Sequence, residues 1–190
     1  MSNICVYGSS SAAIDSVFLD GAYHLGAVLA ENGYGLVFGA GTMGIMGAAA
    51  RGAHSKNGVV TGVIPSFMNV EGIPYTSCDK LIVTETMRER KQAMEELADA
   101  FITAPGGIGT FEEFFEILTL KQLRRHQKAI VLLNTNGYYD NLQAMVEESV
   151  RRNFAKAPTL ELYAVVDTPE AAVEYIRNYE FKDFPDKWFT

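Results

Sequence analysis

Cysteine and histidine are scarce in this sequence, which has two cysteines and three histidines among 190 residues. Cys5 and Cys78 form no CxxC pair, so the sequence predicts buried free thiols and not a disulfide framework or a thiolate metal site. The histidines, His24, His54 and His126, have no ligand spacing, which argues against a zinc site or a catalytic triad. They are expected to be isolated core or surface residues, and no metal or organic cofactor is expected.

Basic residues and long apolar runs are also lacking. The chain has 16 Lys and Arg against 23 Asp and Glu, a formal net charge of −7, so no overall attraction to nucleic acid or an anionic membrane is expected. No apolar stretch approaches the length of a membrane span. Residues 1–8 enter a strand pattern without the basic and apolar regions of a signal peptide, so the protein is predicted to be cytoplasmic.

What the sequence does contain is a regular alternation of apolar runs and helical patterns. Strands are predicted at residues 4–8, 35–38, 59–64, 80–84, 100–103, 129–133 and 163–166. Helices are predicted at 16–32, 43–56, 86–98, 111–125, 138–153 and 169–179. Near-continuous Val, Ile and Leu in the strands are typical of a sheet that is covered on both faces. The sequence therefore predicts an α/β protein with a doubly wound parallel sheet of about seven strands and helices on both faces.

The organisation of the chain is simple. No repeat or interdomain linker is found, so residues 1–180 are expected to form a single nucleotide-binding α/β domain. Residues 181–190 form a short aromatic tail, expected to pack back onto the domain or onto a partner subunit. Residues 67–78 are predicted to form one longer loop. Ligands of doubly wound sheets gather at the carboxyl ends of the strands, and the glycine motifs all follow predicted strands.

The most informative motif is Pro-Gly-Gly-Ile-Gly-Thr-Phe-Glu-Glu at residues 105–113, between a predicted strand and a predicted helix. In such a turn, backbone N–H groups and the positive end of a helix converge on an anion. Gly106, Gly107 and Gly109 are expected to let the backbone approach a ligand closely and to take positive φ. The acidic residues just inside the helix add carboxylates beside the bound group, which suggests chemistry on a phosphorylated sugar.

Glu113 has two interpretations. Thr110 and Glu113 fit a capping box, in which Thr110 is the N-cap residue and Glu113 answers from the third helical position. Because the glycine turn already serves the helix start, we favour the alternative in which Glu113 acts on a ligand. Glu112 and Glu116 flank it at helical spacing, although like charges there disfavour each other by a few tenths of a kcal/mol.

A basic segment opens the preceding helix at residues 87–91, Met-Arg-Glu-Arg-Lys. Arg88 is expected to lie on a solvated face. Arg90 shares a face with Met94 and Leu97, which turns it toward packed structure. A partly buried arginine needs an anionic partner, and a carboxylate or a phosphate would meet its planar guanidinium with two hydrogen bonds.

Two further motifs lie near predicted strand ends. Ser9, Ser10 and Ser11 follow Gly8, where they either hold a phosphate or a base or cap the next helix. Residues 39–44, Gly-Ala-Gly-Thr-Met-Gly, match the dinucleotide spacing, but they follow the second strand and no acidic ribose ligand stands about 20 residues onward. A full NAD site is therefore not expected, whereas a glycine turn that lines a nucleotide pocket is.

Taken together, the motif at 105–113 and the Met-x-x-Arg-Lys segment at 87–91 resemble the LOG ("Lonely guy") phosphoribohydrolases, which were often labelled possible lysine decarboxylases. Counterparts of this family extend over most of the chain, at residues 4–10, 36–47, 63–65, 98–102 and 132–139. The resemblance implies a Rossmann-like fold, commonly a homodimer. It also implies hydrolysis of the N-glycosidic bond of nucleoside 5′-monophosphates, such as AMP or cytokinin riboside 5′-monophosphates, to a free base and ribose 5-phosphate.

By the same resemblance, Arg90 and Glu113 fall on the catalytic pair of the family. Together with the motifs above, this makes the candidate substrate contacts Gly8, Ser9, Gly41, Glu71, Met87, Lys91, Pro105, Gly106, Gly107, Ile108, Gly109, Thr110, Phe111, Glu112, Glu116 and Thr119. The departures from the family pattern are Arg88 in place of His, Ile108 in place of Tyr, and Leu120-Lys121 in place of Trp-Ala. They leave the base preference open. The rival function is that of a carrier that binds a nucleotide or a molybdenum cofactor without turnover.

Overall fold

The computed structural model of the protein describes residues 1–182. Within this range, one sheet contains seven strands, which are β1 (Asn3–Tyr7), β2 (Gly35–Phe38), β3 (Val60–Pro65), β4 (Lys80–Thr84), β5 (Ala100–Thr103), β6 (Ala129–Leu133) and β7 (Ala164–Val166). The helices are α1 (Ser16–Glu31), α2 (Gly44–Ser55), α3 (Met87–Leu97), α4 (Ile108–Gln122), α5 (Asp140–Arg151) and α6 (Pro169–Arg177). Short 3₁₀ segments occur at Ser66–Met68, Thr135–Gly137 and Ala157–Glu161.

All strand pairs in the sheet are parallel, and the strand order is β4-β3-β2-β1-β5-β6-β7. Strand β1 lies at the centre, where Ile4 pairs with Leu36 of β2 on one side and with Ala100 of β5 on the other. The chain winds outward from β1 through β2, β3 and β4, and then returns to add β5, β6 and β7. The order therefore reverses between β1 and β5, which is where doubly wound sheets form a crevice for ligands.

Each face of the sheet has its own core. One core contains Leu25 of α1, Ala49 of α2 and Val173 of α6, together with Ile4 and Val6 of β1. The other contains residues of α3, α4 and α5, together with Cys5 and Tyr7 of the same strand. Because successive residues of a strand point to opposite faces, a sheet with helices on both faces needs apolar residues at nearly every strand position. The prediction of a doubly wound sheet with helices on both faces is confirmed.

The predicted elements all occur, with shifts at their ends. The largest shift concerns α4, which begins at Ile108 and not at residue 111, so the helix extends into the glycine motif. Residues 67–78 form the expected long connection between β3 and β4, and its first two residues belong to the 3₁₀ segment Ser66–Met68. The part of the predicted tail from residue 183 onward lies outside the described residues. Among residues 1–182, no helix is long and apolar enough to cross a membrane.

Candidate active site

The glycine turn connects β5 to α4 at the carboxyl edge of the sheet. Gly107 is the N-cap residue, and Ile108, Gly109 and Thr110 form the first helical turn. The first N–H groups of a helix have no carbonyl partner within it, so residues 106–110 present backbone donors and a positive helix end to an anion. The expectation of positive φ at the three glycines is wrong: positive φ near this edge occurs instead at Ala40 and Gly44.

The three glycines of the turn serve different purposes. A Cβ atom at Gly106 would lie 2.1 Å from Oγ1 of Thr110, so this glycine makes room for a neighbouring side chain. A Cβ atom at Gly107 or at Gly109 would have no protein atom within 4 Å. The protein itself therefore does not require glycine at 107 or 109, and the open space beside them is available to a ligand.

The capping-box interpretation of Thr110 and Glu113 is wrong. Thr110 is buried and is the third residue of α4, not its N-cap residue. Glu113 lies beyond the first turn, where its side chain cannot accept the backbone N–H of the N-cap residue. A capping box does exist on α3, where Thr86 accepts the N–H of Glu89 at 3.2 Å and the Glu89 carboxylate accepts the N–H of Thr86 at 3.2 Å. Glu113 is consequently free to interact outside its own helix.

The partner of Glu113 is Arg90. Nη1 of Arg90 donates to Oε1 of Glu113 at 3.0 Å, and Nε donates to the carbonyl oxygen of Val63 at 3.2 Å. The Arg90 residue is 8% exposed and the Glu113 side chain is 12% exposed, so the pair is almost buried between α3 and α4. Gly39 allows this packing, because a Cβ atom there would lie 1.9 Å from Nη2 of Arg90. The expected anionic partner of Arg90 is thus a carboxylate.

Water is largely excluded from the surroundings of this ion pair. Burial raises the pKa of Glu113 above its ordinary value, and the Arg90 guanidinium opposes that rise. Burial also raises the pKa of Tyr7, the last residue of β1, and of Cys5 on the same strand, so both remain neutral. Charges act more strongly in such surroundings than in water, because fewer solvent dipoles screen them.

A second ion pair lies beside the first. Nζ of Lys91 contacts the carboxylate of Glu112 and lies 3.0 Å from Oε2 of Glu116. Burial lowers the pKa of Lys91, but hydrogen bonds to the two carboxylates outweigh burial and the net pKa is raised. The ammonium group between Glu112 and Glu116 offsets the repulsion expected from their helical spacing. Thr119 lies exposed on the next turn of α4.

The remaining candidates also follow strand ends. Gly8 is buried, and a Cβ atom there would lie 2.4 Å from Ile45 of α2. The N–H of Ser9 donates to the carbonyl oxygen of Pro105 at 3.1 Å. This hydrogen bond joins the segment after β1 to the glycine turn after β5. Helix α1 starts at Ser16 with Asp15 as its N-cap residue, so the interpretation of the three serines as its cap is wrong.

Gly41 and Glu71 belong to the region around β2 and β3. Gly41 forms an isolated bridge with Pro74, so the loop that carries Glu71 lies against the glycine turn after β2. Glu71 itself is exposed, and within residues 1–182 no hydrogen bond or ion pair of its side chain is found. Met87 begins α3, and its sulfur lies 3.5 Å from Nη1 of Arg90. Phe111 packs its ring against Tyr139, toward the core.

A cavity opens at the point where the strand order reverses. Its volume is about 390 Å³, and its lining includes Ser9, Phe18, Gly106, Gly107 and Tyr138. The glycine turn thus has this cavity on the side of α1, while Glu113 of α4 meets Arg90 on the side of α3. The structure therefore brings Ser9, the turn, Arg90 and Glu113 to one edge of the sheet, as expected for a ligand site at this position.

Two features of this region were missed in the sequence. Lys121 of α4 is buried, and its ammonium donates to the carbonyl oxygen of Leu162 at 2.7 Å. Burial lowers its pKa to about 8. No local pattern marks a lysine that lies on the inner face of a helix. Tyr138 and Tyr139 contact the glycine turn, and the conspicuous Asn-x-x-Gly-Tyr-Tyr segment at residues 134–139 was a signal that pointed to them.

Of the two cysteines, which were expected to be buried free thiols, only Cys5 is fully buried. Cys78 is half-buried, and both are free thiols. His126 is a core residue whose pKa burial lowers to about 4, while its Nε2 lies 2.8 Å from the carbonyl oxygen of Ile117. In the described part of the chain, no three His, Cys, Asp or Glu residues are grouped so as to hold a metal ion.

Known proteins are similar to this chain in sequence. The family model described as possible lysine decarboxylase matches residues 46–176. The cytokinin riboside 5′-monophosphate phosphoribohydrolase of Mycobacterium marinum is 37% identical over 171 residues, which cover 90% of this chain and 91% of the relative. The corresponding protein of Arabidopsis thaliana is 36% identical over 168 residues, which cover 88% of this chain and 78% of the relative.

Solved structures share the fold. The molybdenum cofactor binding protein of Rippkaea orientalis superposes with a TM-score of 0.71 at 24% identity, covering 93% of this chain and 95% of that chain. The molybdenum cofactor carrier protein of Chlamydomonas reinhardtii superposes with a TM-score of 0.69 at 22% identity, covering 93% and 96%. At these identities the likeness concerns the fold alone.

Proposed function

The chain belongs to the family described as possible lysine decarboxylase, together with the cytokinin riboside 5′-monophosphate phosphoribohydrolases, and we propose that it is a hydrolase of this kind. Its reaction is cleavage of the N-glycosidic bond of a nucleoside 5′-monophosphate, which releases the free base and ribose 5-phosphate. The substrates we propose are AMP and cytokinin riboside 5′-monophosphates.

One observation carries this proposal: Arg90 of α3 and Glu113 of α4 are in buried contact at 3.0 Å. Helix α4 is the helix that begins in the glycine turn. The N–H groups of residues 106–110 bind the 5′-phosphate at the helix N-terminus. Departure of the base leaves positive charge on the ribose, and Glu113 stabilises that charge or activates the attacking water. Arg90 anchors the sugar phosphate and favours the ionised form of Glu113 against the effect of burial.

The other candidate contacts support the same substrate. Beside the ion pair lie Lys91 of α3 and three residues of α4, Glu112, Glu116 and Thr119, and we propose that they contact the sugar or the base. Gly8, Ser9, Gly41 and Glu71 border the same edge of the sheet from the β1 and β2 side. Ile108 is 82% exposed at the start of α4, so a bulky apolar side chain stands beside the substrate site in place of the tyrosine common in the family.

We also propose a homodimer, as is common in the family. Phe115 of α4 is a partly exposed aromatic residue next to Glu112 and Glu116, and a second copy of the chain would cover it. Light scattering coupled to size exclusion measures the mass directly: a dimer has twice the 20.9 kDa of the chain.

The test of function is release of free base. Purified protein is incubated with AMP and with an N6-modified AMP, and base and ribose 5-phosphate are quantified by chromatography. Glu113→Gln is expected to lower kcat by a factor on the order of 10²–10⁴ while it retains nucleotide binding. Glu96→Gln, an exposed acid of α3, is the matched control and should keep full activity. Binding of AMP without release of base would contradict the proposal and would favour a carrier.

A further inference from the structure

Three consecutive carbonyl groups of the glycine turn are held from outside the turn. The carbonyl oxygen of Ala104 accepts the hydroxyl of Tyr139 at 2.7 Å. That of Pro105 accepts the N–H of Ser9 at 3.1 Å, and that of Gly106 accepts the hydroxyl of Tyr138 at 2.5 Å. The orientation of three successive peptide planes is thus determined by groups that belong to other elements.

Holding a carbonyl also orients the next N–H group. In a planar trans peptide, the C=O of one residue and the N–H of the following residue point in opposite directions. The contact to Pro105 therefore turns the N–H of Gly106 away from Ser9, and the contact to Gly106 turns the N–H of Gly107 away from Tyr138. The contact to Ala104 orients no donor, because the next residue is a proline and has no N–H.

The peptide between Gly106 and Gly107 needs such a contact more than most. Rotation of a peptide plane between two glycines meets little steric resistance, because neither residue has a Cβ atom that restricts φ and ψ. The α-helical hydrogen bonds begin one residue later, with the N–H of Phe111 on the carbonyl oxygen of Gly107 at 3.0 Å. The helix therefore does not restrain this peptide through its carbonyl oxygen, whereas Tyr138 does.

Tyr138 is itself held in place. Its ring makes edge contacts with Phe18, at 5.7 Å between ring centroids, and with Tyr139, at 5.0 Å. The backbone N–H of Tyr139 donates to Oδ1 of Asn134 at 2.7 Å, and Nδ2 of Asn134 donates to Asp140 at 2.9 Å. The segment that follows β6 thus places the Tyr138 hydroxyl at the turn through several independent contacts.

We propose that Tyr138 is a positioning residue for the anion site: its hydroxyl fixes the Gly106–Gly107 peptide with the N–H of Gly107 directed to the phosphate of the substrate. Tyr138 acts through the backbone and does not touch the reacting atoms. The inference rests on the proposed function for the identity of the phosphorylated ligand. It adds a residue outside the glycine turn to the determinants of phosphate affinity, since donors oriented in advance need no reorganisation when the anion binds.

The test compares two phenylalanine variants that each remove one hydroxyl. Tyr138→Phe keeps both ring contacts. Because Tyr138 is 40% exposed, the melting temperature of this variant should match that of the wild type. Titration with ribose 5-phosphate should show a dissociation constant raised about tenfold, the order of one hydrogen bond to a charged group. KM for AMP should rise by a similar factor, while kcat changes less than about threefold.

Tyr139→Phe is the matched control. Tyr139 is 1% exposed, so loss of its hydroxyl leaves a buried carbonyl without this partner and should lower the melting temperature. Its dissociation constant for ribose 5-phosphate should nevertheless equal that of the wild type, because no N–H follows the Ala104 carbonyl. Wild-type affinity in Tyr138→Phe, or an equal loss of affinity in both variants, would overturn the proposal. Base release by the wild-type protein is measured separately, so failure of the proposed function is distinguishable from failure of this inference.

Discussion

Substitution of Gly109 by alanine should stabilise the protein and at the same time weaken its binding of AMP. Gly109 is the second residue of α4, and a Cβ atom there meets no protein atom within 4 Å. Alanine favours a helix over glycine by up to about 1 kcal/mol per residue. For a chain of this size that corresponds to a rise in melting temperature of roughly 2–4 °C.

The same methyl group should impair binding. It would project into the open space that we assign to the phosphate, so the anion could not approach the N–H groups of the turn as closely. We expect the dissociation constant for AMP to rise at least about tenfold, equivalent to about 1.4 kcal/mol. Thermal unfolding and calorimetric titration of one protein sample measure both effects.

Gly106→Ala is the comparison that should show the opposite pattern in stability. Its methyl group would lie 2.1 Å from Oγ1 of Thr110, so the turn must shift, and overpacking of this kind lowers stability by typically about 1–3 kcal/mol. If Gly109→Ala bound AMP as tightly as the wild type, the assignment of the open space to the ligand would be refuted. A lower melting temperature for Gly109→Ala would refute the structural half of the reasoning.

Two pH effects follow from buried ionisable groups. Because burial raises the pKa of Glu113 and the reaction requires its carboxylate, the acid limb of kcat/KM should lie above pH 4.5, the ordinary value. Measurement of kcat/KM from pH 4 to 8 checks this, and a limb at or below that value would contradict the proposed role. The pKa of Lys121 is lowered from 10.5 to about 8. Between pH 8 and pH 10.5 the unfolded chain therefore binds more protons than the native state, so the free energy of unfolding should rise with pH in this range. Denaturant unfolding at pH 7 and pH 9 should therefore show wild type gaining stability relative to Lys121→Met, whereas a constant difference would show that the ammonium is not desolvated.

Much of the fold could be predicted because its signals are local. Every strand is a short run of apolar residues, and every helix has an apolar face, so the elements follow from neighbouring residues alone. The start of α4 is an instructive miss: the apolar pattern begins at Phe111, but the helix begins at Ile108. Glycine has a low helix propensity, so the motif was interpreted as a turn throughout, although free N–H groups of a first helical turn are what an anion site requires.

The interpretation of the acidic residues shows where local signals end. Thr110 and Glu113 have the spacing of a capping box, and so do Thr86 and Glu89, yet the structure forms only the second. Sequence spacing cannot distinguish the two, because the choice depends on which residue becomes the N-cap. In the structure Gly107 is the N-cap residue of α4, and Thr110 packs against Gly106 from within the helix.

By itself, the sequence determined the class of fold, the edge of the sheet where a site would form and the residue types available there, since periodicity and glycine turns are properties of short segments. Only the tertiary structure decided that Arg90 pairs with Glu113, 23 residues further along the chain, and that Lys91 lies between Glu112 and Glu116. The same is true of the tyrosines that hold the glycine turn from beyond β6. These contacts join separate helices and loops, and their geometry depends on how the elements pack around the sheet.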